Sequence, residues 1–217
     1  MLAKRTTAVV LAAGVVAGAL LLTSCATGER PSFVDDQDAS GVPVGDAAID
    51  AVLGPLETSA PPPFTAEYTI TNNTTGSTSN ATVAVDVDRR SITIANIRFL
   101  IEGSRTSTCN IESGRCSNSI EDARVSDIQV THQFYGDATA RRLRAETRQR
   151  ISATAPSTAT IAGLPATCVT VPLADGSPVY CVLDNGLLAR MDNADVDIEL
   201  TSFREGVDEQ AFLSVTG

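Results

Sequence analysis

The feature that most constrains this chain is a repeated alternation of apolar and polar side chains, broken at intervals by turn residues. Val196, Ile198 and Leu200 alternate with Asp195, Asp197, Glu199 and Thr201. Successive side chains of a strand point to opposite faces, so this pattern is a strand with one face buried. Tyr68 and Ile70 alternate in the same way with Glu67, Thr69 and Thr71, and Val83, Val85 and Val87 with Ala84, Asp86 and Asp88. Beyond "DRR" the apolar positions run through Ile92 and Ile94, then slip to Ile97, Phe99 and Ile101. A period of two cannot change face on its own, which places a bulge or break near Ala95-Asn96. In "VLDNGLLA", Asn185-Gly186 is the pair favoured in two-residue hairpin turns, where both positions need positive φ. Asn72, Asn73 and Asn80 lie in Asn-x-Ser/Thr sequons and read as turn residues.

Two stretches carry helical spacing instead. In "VGDAAIDAVLGPL", Ala48, Val52 and Leu56 fall at i, i+4 and i+8, with Asp46 placed to cap the start and Gly54-Pro55 as a weak point. In "GDATARRLRAETRQRI", Asp137 is the expected cap, and Ala140, Leu143, Thr147 and Ile151 form a thin apolar stripe. Helix, strands, helix, strands with hairpin connections describe an α+β domain built on a strongly curved antiparallel sheet.

Ahead of this domain, Lys4 and Arg5 precede fifteen uncharged residues, Ala8 to Leu22. A spanning helix needs about 20 apolar residues, so the run is too short to cross a bilayer and reads as an export signal. Leu22-Thr23-Ser24-Cys25 resembles the bacterial lipobox, which implies a signal peptide over residues 1–24 and acylation of the Cys25 thiol. Several acyl chains hold a protein on a membrane where one binds only marginally. The expected location is therefore the extracytoplasmic face of the cell membrane. Residues 25–45, rich in Asp, Gly, Pro and Ser, read as lipidated Cys plus tether, and residues 46–217 as a single envelope domain.

Cleavage there removes two basic residues and no acid, leaving fourteen Lys and Arg against twenty-six Asp and Glu. Nucleic acid is excluded as a partner, because phosphate contacts need clustered positive charge. Cys109, Cys116, Cys168 and Cys181 are an even number in an oxidising location. The local pairs Cys109-Cys116 and Cys168-Cys181 are favoured, as staples across hairpins contributing about 2.5 and 3 kcal/mol in the chain-entropy model. Their spacings do not fit a four-thiolate zinc site.

Little points to catalysis. His132 is the only histidine, in "VTHQFY", with no carboxylate close in sequence, and reads as an exposed side chain. No G-x-S-x-G, H-E-x-x-H or phosphate-binding glycine loop occurs. The acids of "DNADVDIE" alternate with apolar residues as an exposed strand face does, and lack the glycine of a calcium loop. A non-enzyme with no metal and no cofactor is expected. The second helix is the basic part of the chain: Arg142, Glu146 and Arg150 fall at i, i+4 and i+8, while Arg141, Arg144 and Arg148 form a separate stripe. That stripe is either a solvated face or a contact for anionic lipid headgroups.

A lipobox and tether, a short helix running into "FTAEYTI", a set of hairpins, a helical interruption, then "GLLARMDNADVDIELTSF" and "VDEQAF" resemble the bacterial LolA/LolB-like lipoprotein-carrier superfamily and its actinobacterial envelope lipoproteins. The resemblance implies an antiparallel sheet curled into an unclosed barrel, helices over one face, and an apolar hollow for acyl chains. On that reading Tyr68, Ile70, Val83, Val85, Val87, Ile92, Ile94, Val196, Ile198 and Leu200 line the hollow, with lipid or lipoprotein as cargo. The same alternation fits a filled core in an anchored interaction module that meets an envelope protein partner. A cavity of several hundred Å3 would mark the first, and close packing the second.

Overall fold

Eleven strands form one antiparallel sheet in the structure, a computed structural model that describes residues 40–59 and 61–213. The expected signal peptide, Cys25 and most of the expected tether lie outside the described residues. The chain opens with α1 (Ala47–Thr58) and then β1 (Phe64–Asn72), β2 (Thr78–Val85), β3 (Arg89–Ile94), β4 (Ile97–Glu102), β5 (Arg105–Asn110) and β6 (Cys116–Ser117). A 3-10 segment (Asp122–Ile128) and α2 (Asp137–Thr147) follow. The chain then resumes in β7 (Ala155–Ile161), β8 (Leu164–Thr170), β9 (Val179–Leu183), β10 (Leu188–Asp192) and β11 (Val196–Glu205), with a last 3-10 turn at Glu209–Phe212.

The strand order is β6-β5-β4-β3-β2-β1-β11-β10-β9-β8-β7. Each half is a meander of sequence neighbours, and only the β1–β11 pairing joins the halves. β6 and β7 are the two edges, so the sheet is not closed into a barrel, and the helices accompany it as the α+β reading requires. Ile70 lies opposite Ile198 and Tyr68 opposite Leu200, but Glu67 opposes Ser202. Thr201 is thus an extra residue in β11. A bulge of this kind lets Leu200 and Phe203 face the same side despite odd spacing, and sharpens the local twist.

The slip expected near Ala95-Asn96 is a chain reversal. Ile94 pairs with Ile97, so Ala95 and Asn96 are a two-residue hairpin turn, with Ala95 at φ 51°. Val87 departs from the expected alternation: β2 stops at Val85, and Val87 stands 91% exposed in the turn to β3. The Asn-Gly loop is also longer than expected. Leu183 N–H donates to the Leu187 carbonyl at 2.9 Å, leaving Asp184, Asn185 and Gly186 as a three-residue loop with Gly186 at φ 83°.

Asp46 caps α1 as its position implied, its Oδ1 accepting from the N–H groups of Ala48 (3.1 Å) and Ile49 (3.3 Å). α1 runs through Pro55. The lost hydrogen bond would fall on the carbonyl of Ala51, an exposed residue that water can reach. In α2 the cap is Gly136, and Asp137 is the first helical residue, favourable there through the helix dipole alone. Ile151 lies beyond the end of α2 and is 66% exposed, so the stripe is shorter than the spacing suggested.

Both disulfides close across directly opposed residues, Cys109-Cys116 between β5 and β6 and Cys168-Cys181 between β8 and β9. By register, Cys168-Cys181 sits on the face opposite Val169 and Tyr180.

Gly186 is where the second meander meets α1. A Cβ at this position would stand 2.4 Å from both the Pro55 carbonyl oxygen and Ser59 Cβ, and the backbone is in the left-handed region. Gly186→Ala is expected to destabilise the protein by about 1–3 kcal/mol, measured as a lower midpoint in denaturant with an unchanged slope.

Candidate functional site

The sheet face expected to line a hollow is filled. Tyr68, Ile70, Val83, Ile92, Ile94, Val196, Ile198 and Leu200 are each at most 1% exposed. They belong to one cluster with Ile49, Val52, Leu53 and Leu56 of α1, Val125 of the first 3-10 segment, Val130 and Phe134, and Ala140 and Leu143 of α2. The Tyr68 ring meets Phe134 edge-on at 5.1 Å, and its hydroxyl donates to the Leu188 carbonyl at 3.0 Å. Burial holds that phenol protonated, well above its ordinary range. Val85 is half-buried at the rim and Val87 is outside the cluster altogether.

Three of the clefts around this core bear on what it could hold. One of about 160 Å3 lies between the first 3-10 segment and α2, with Val130, Phe134, Met191 and Ile198 in its walls. A second, of about 140 Å3, lies where the ends of α1, β1 and β2 meet the loop before α2, and includes Phe64, Val85, Arg90, Tyr135 and Leu187. The third and largest, about 310 Å3, is polar and acidic, with Arg142, Glu146, Asp175, Asp192 and Asp195 around it. Of the ten residues expected to line a hollow, Ile198 borders the first of these clefts and Val85 the second.

The arginines of α2 are drawn into the molecule. Arg144 is 5% exposed and is not available to a headgroup: its Nη2 donates to Glu57 Oε2 at 2.6 Å and to the Val42 carbonyl at 2.8 Å, and its Nε also reaches Glu57. Gly41 N–H donates to the same Glu57 carboxylate at 2.7 Å. Sequence spacing put Arg144 on a stripe with Arg141 and Arg148, but the facing helix supplies a carboxylate 87 residues away. Arg141 donates to Gln133 Oε1 at 3.0 Å, while Arg148 is exposed. Arg142 bridges Glu146 (3.2 Å) and Asp195 (2.6 Å), and Glu146 accepts from the buried Tyr180 hydroxyl at 2.6 Å.

His132 differs from its expected state. Its side chain is 14% exposed, and Nδ1 lies 3.0 Å from both carboxylate oxygens of Asp122, with Phe99 stacked at 5.6 Å. The 3-10 segment and the turn after it bring Asp122 to His132 across ten residues, too far along the chain for spacing to link the two. Among the described residues no hydroxyl or thiol bonds its other ring nitrogen, so the pair orients an imidazole without a nucleophile to activate.

Asn72 is a buried turn residue: its Oδ1 accepts from the N–H groups of Thr74 and Thr75, and its Nδ2 donates to the Asp127 carbonyl at 2.7 Å. On β11, Asp197 has its pKa raised by burial and by the nearby Asp192 and Glu199 charges, against the pull of Arg190. Among the described residues no group of three or more His, Cys, Asp or Glu is placed to hold a metal ion.

No protein-family model matches the chain, and no curated protein sequence matches it. Solved structures with a similar course include MucB, at 13% identity and a TM-score of 0.47 over 77% of this chain and 63% of that one. MucB in complex with MucA(peri) gives 11% and 0.43 over 76% and 57%. PNGF-II gives 11% and 0.34 over 69% and 29%. The chain spans less than two thirds of each of these proteins, and likenesses at this level say nothing about activity.

Arg144 and Glu57 are each nearly enclosed, so losing one strands the other. Arg144→Met alone should cost about 3–5 kcal/mol, whereas Arg144→Met with Glu57→Leu should recover most of that loss. Equilibrium unfolding of the two variants is the measurement.

Proposed function

We propose that this chain is a lipid-anchored, non-catalytic interaction module of the bacterial cell envelope, working at the extracytoplasmic face of the membrane through a protein partner. The observation that carries the choice between cargo hollow and filled module is the packing of the sheet. Eight of the ten side chains that would line a hollow are in contact with the molecule's own helices and with one another.

Pockets that enclose small molecules run about 300–1,000 Å3 and are mostly apolar. Of the three clefts described, the one that reaches this range has four carboxylates and an arginine around it, unsuited to acyl chains, and the other two are about half that size. The non-catalytic part of the reading rests on His132, the one histidine, being engaged by Asp122 with no hydroxyl or thiol bonded to its other ring nitrogen among the described residues. The anchor rests on the Leu22-Thr23-Ser24-Cys25 sequence.

Two measurements test the proposal. Cys25→Ala should leave the protein in the soluble fraction after cell disruption, while the parent stays in the membrane pellet through a salt wash. The soluble variant, gently purified from its own kind of bacterium, should show by native mass spectrometry the mass of the polypeptide with two disulfides and no lipid. Stoichiometric lipid would restore the cargo reading. Photo-crosslinkers on the exposed β11 positions Glu199 and Thr201 should trap a discrete protein in cells, and a failure at every exposed face would remove the partner.

A further inference from the structure

We infer that the cleft of about 140 Å3 at the end of β1 and β2 is a binding site for the carboxyl-terminal residue of a peptide ending in an aromatic side chain or leucine. The register carries the geometry. Phe64 pairs with Val85 and Val85 with Arg90, so the three stand side by side on the core face of β1, β2 and β3, where alternation with Ile92 and Ile94 calls for another apolar residue. An arginine in that row, at the rim of the core, breaks the apolar run of its neighbours Phe64, Val85, Ile92 and Ile94.

Arg90 lies beside the Tyr135 phenol and makes no ion pair with a carboxylate among the described residues. At least seven of the thirteen described arginines are paired to the chain's own acids, Arg89, Arg124, Arg142, Arg144 and Arg150 among them. Here the guanidinium shares the cleft with Phe64, Val85 and Leu187, and Asp137 borders the same opening without pairing to it. A guanidinium fork takes a carboxylate through two parallel hydrogen bonds. A cavity of about 150 Å3 admits a benzene ring. One ring or branched side chain borne on the carbon that carries a carboxylate is the group that satisfies both walls, and a chain terminus ending in Phe or Leu presents it. A fatty acid satisfies the arginine but has most of its chain left over.

The site is tested on the intact protein and does not depend on the identity of any partner. Amide NMR titration with N-acetyl-phenylalanine should give saturable shifts at Arg90, Tyr135 and Leu187. The amidated form, N-acetyl-phenylalaninamide, and the Arg90→Gln variant with the free acid should each bind at least tenfold more weakly, with Arg90→Lys intermediate. Arg90 is exposed, so the variant is expected to keep the fold, checked by its unchanged spectrum elsewhere. The inference is overturned if no saturable shift appears, if the amide or Arg90→Gln matches the parent, or if decanoate binds more tightly than N-acetyl-phenylalanine.

Discussion

The β1–β11 pairing is the constraint on which the rest of the molecule depends. Every other strand pairing joins neighbours in sequence. This one brings Phe64 to Glu205 and Asn72 to Val196, and it fuses two five- and six-strand meanders into one surface. Local hairpins form on their own account, whereas this contact requires closing most of the chain into a loop before it is rewarded. Its register is held by burial: a slip of one residue would set Tyr68 and Ile70 on the face opposite to Ile198 and Leu200, so that one pair or the other left the core.

Much of this was legible from residue order, and the limits have physical causes. Asp46, the alternating strands and the opposed cysteine pairs are local or nearly local arrangements, and apart from Val87 each lies where its spacing put it. The hairpin at Ala95 was read as an irregularity, because a reversal and a bulge leave the same shift in a period-two pattern. Arg144 and His132 could not be read at all. Their carboxylates, Glu57 and Asp122, reach them only after helices fold against one another, and no spacing rule links residues brought together by packing. Nor does alternation tell a lined hollow from a filled core; that depends on what covers the face, here α1 and the segment between β6 and β7.

The charge pattern follows the same division. An excess of acid at the level of composition coexists with arginines consumed internally, at Glu57, Asp46, Asp195 and Glu209. These contacts tie α2, its following loop and the C-terminal turn to other elements. Apart from the buried Arg144–Glu57 pair, these are partly exposed contacts that add little to stability. They fix orientation more than they add energy, and they leave the outward-facing charge more one-sided than the sequence total suggests.

The hydrogen bonds at the start of the domain also set a load path. Gly41 donates to Glu57, Val42 accepts from Arg144, and the Val44 and Gly45 N–H groups are held by Asp50. A pull on the N-terminal side therefore reaches these few bonds and the paired helices first. The ladder of β1, which follows α1 directly, is engaged only after that clamp gives way. Helix and sheet are thus in series under tension, with the buried ion pair as the mechanical fuse that spares the strands.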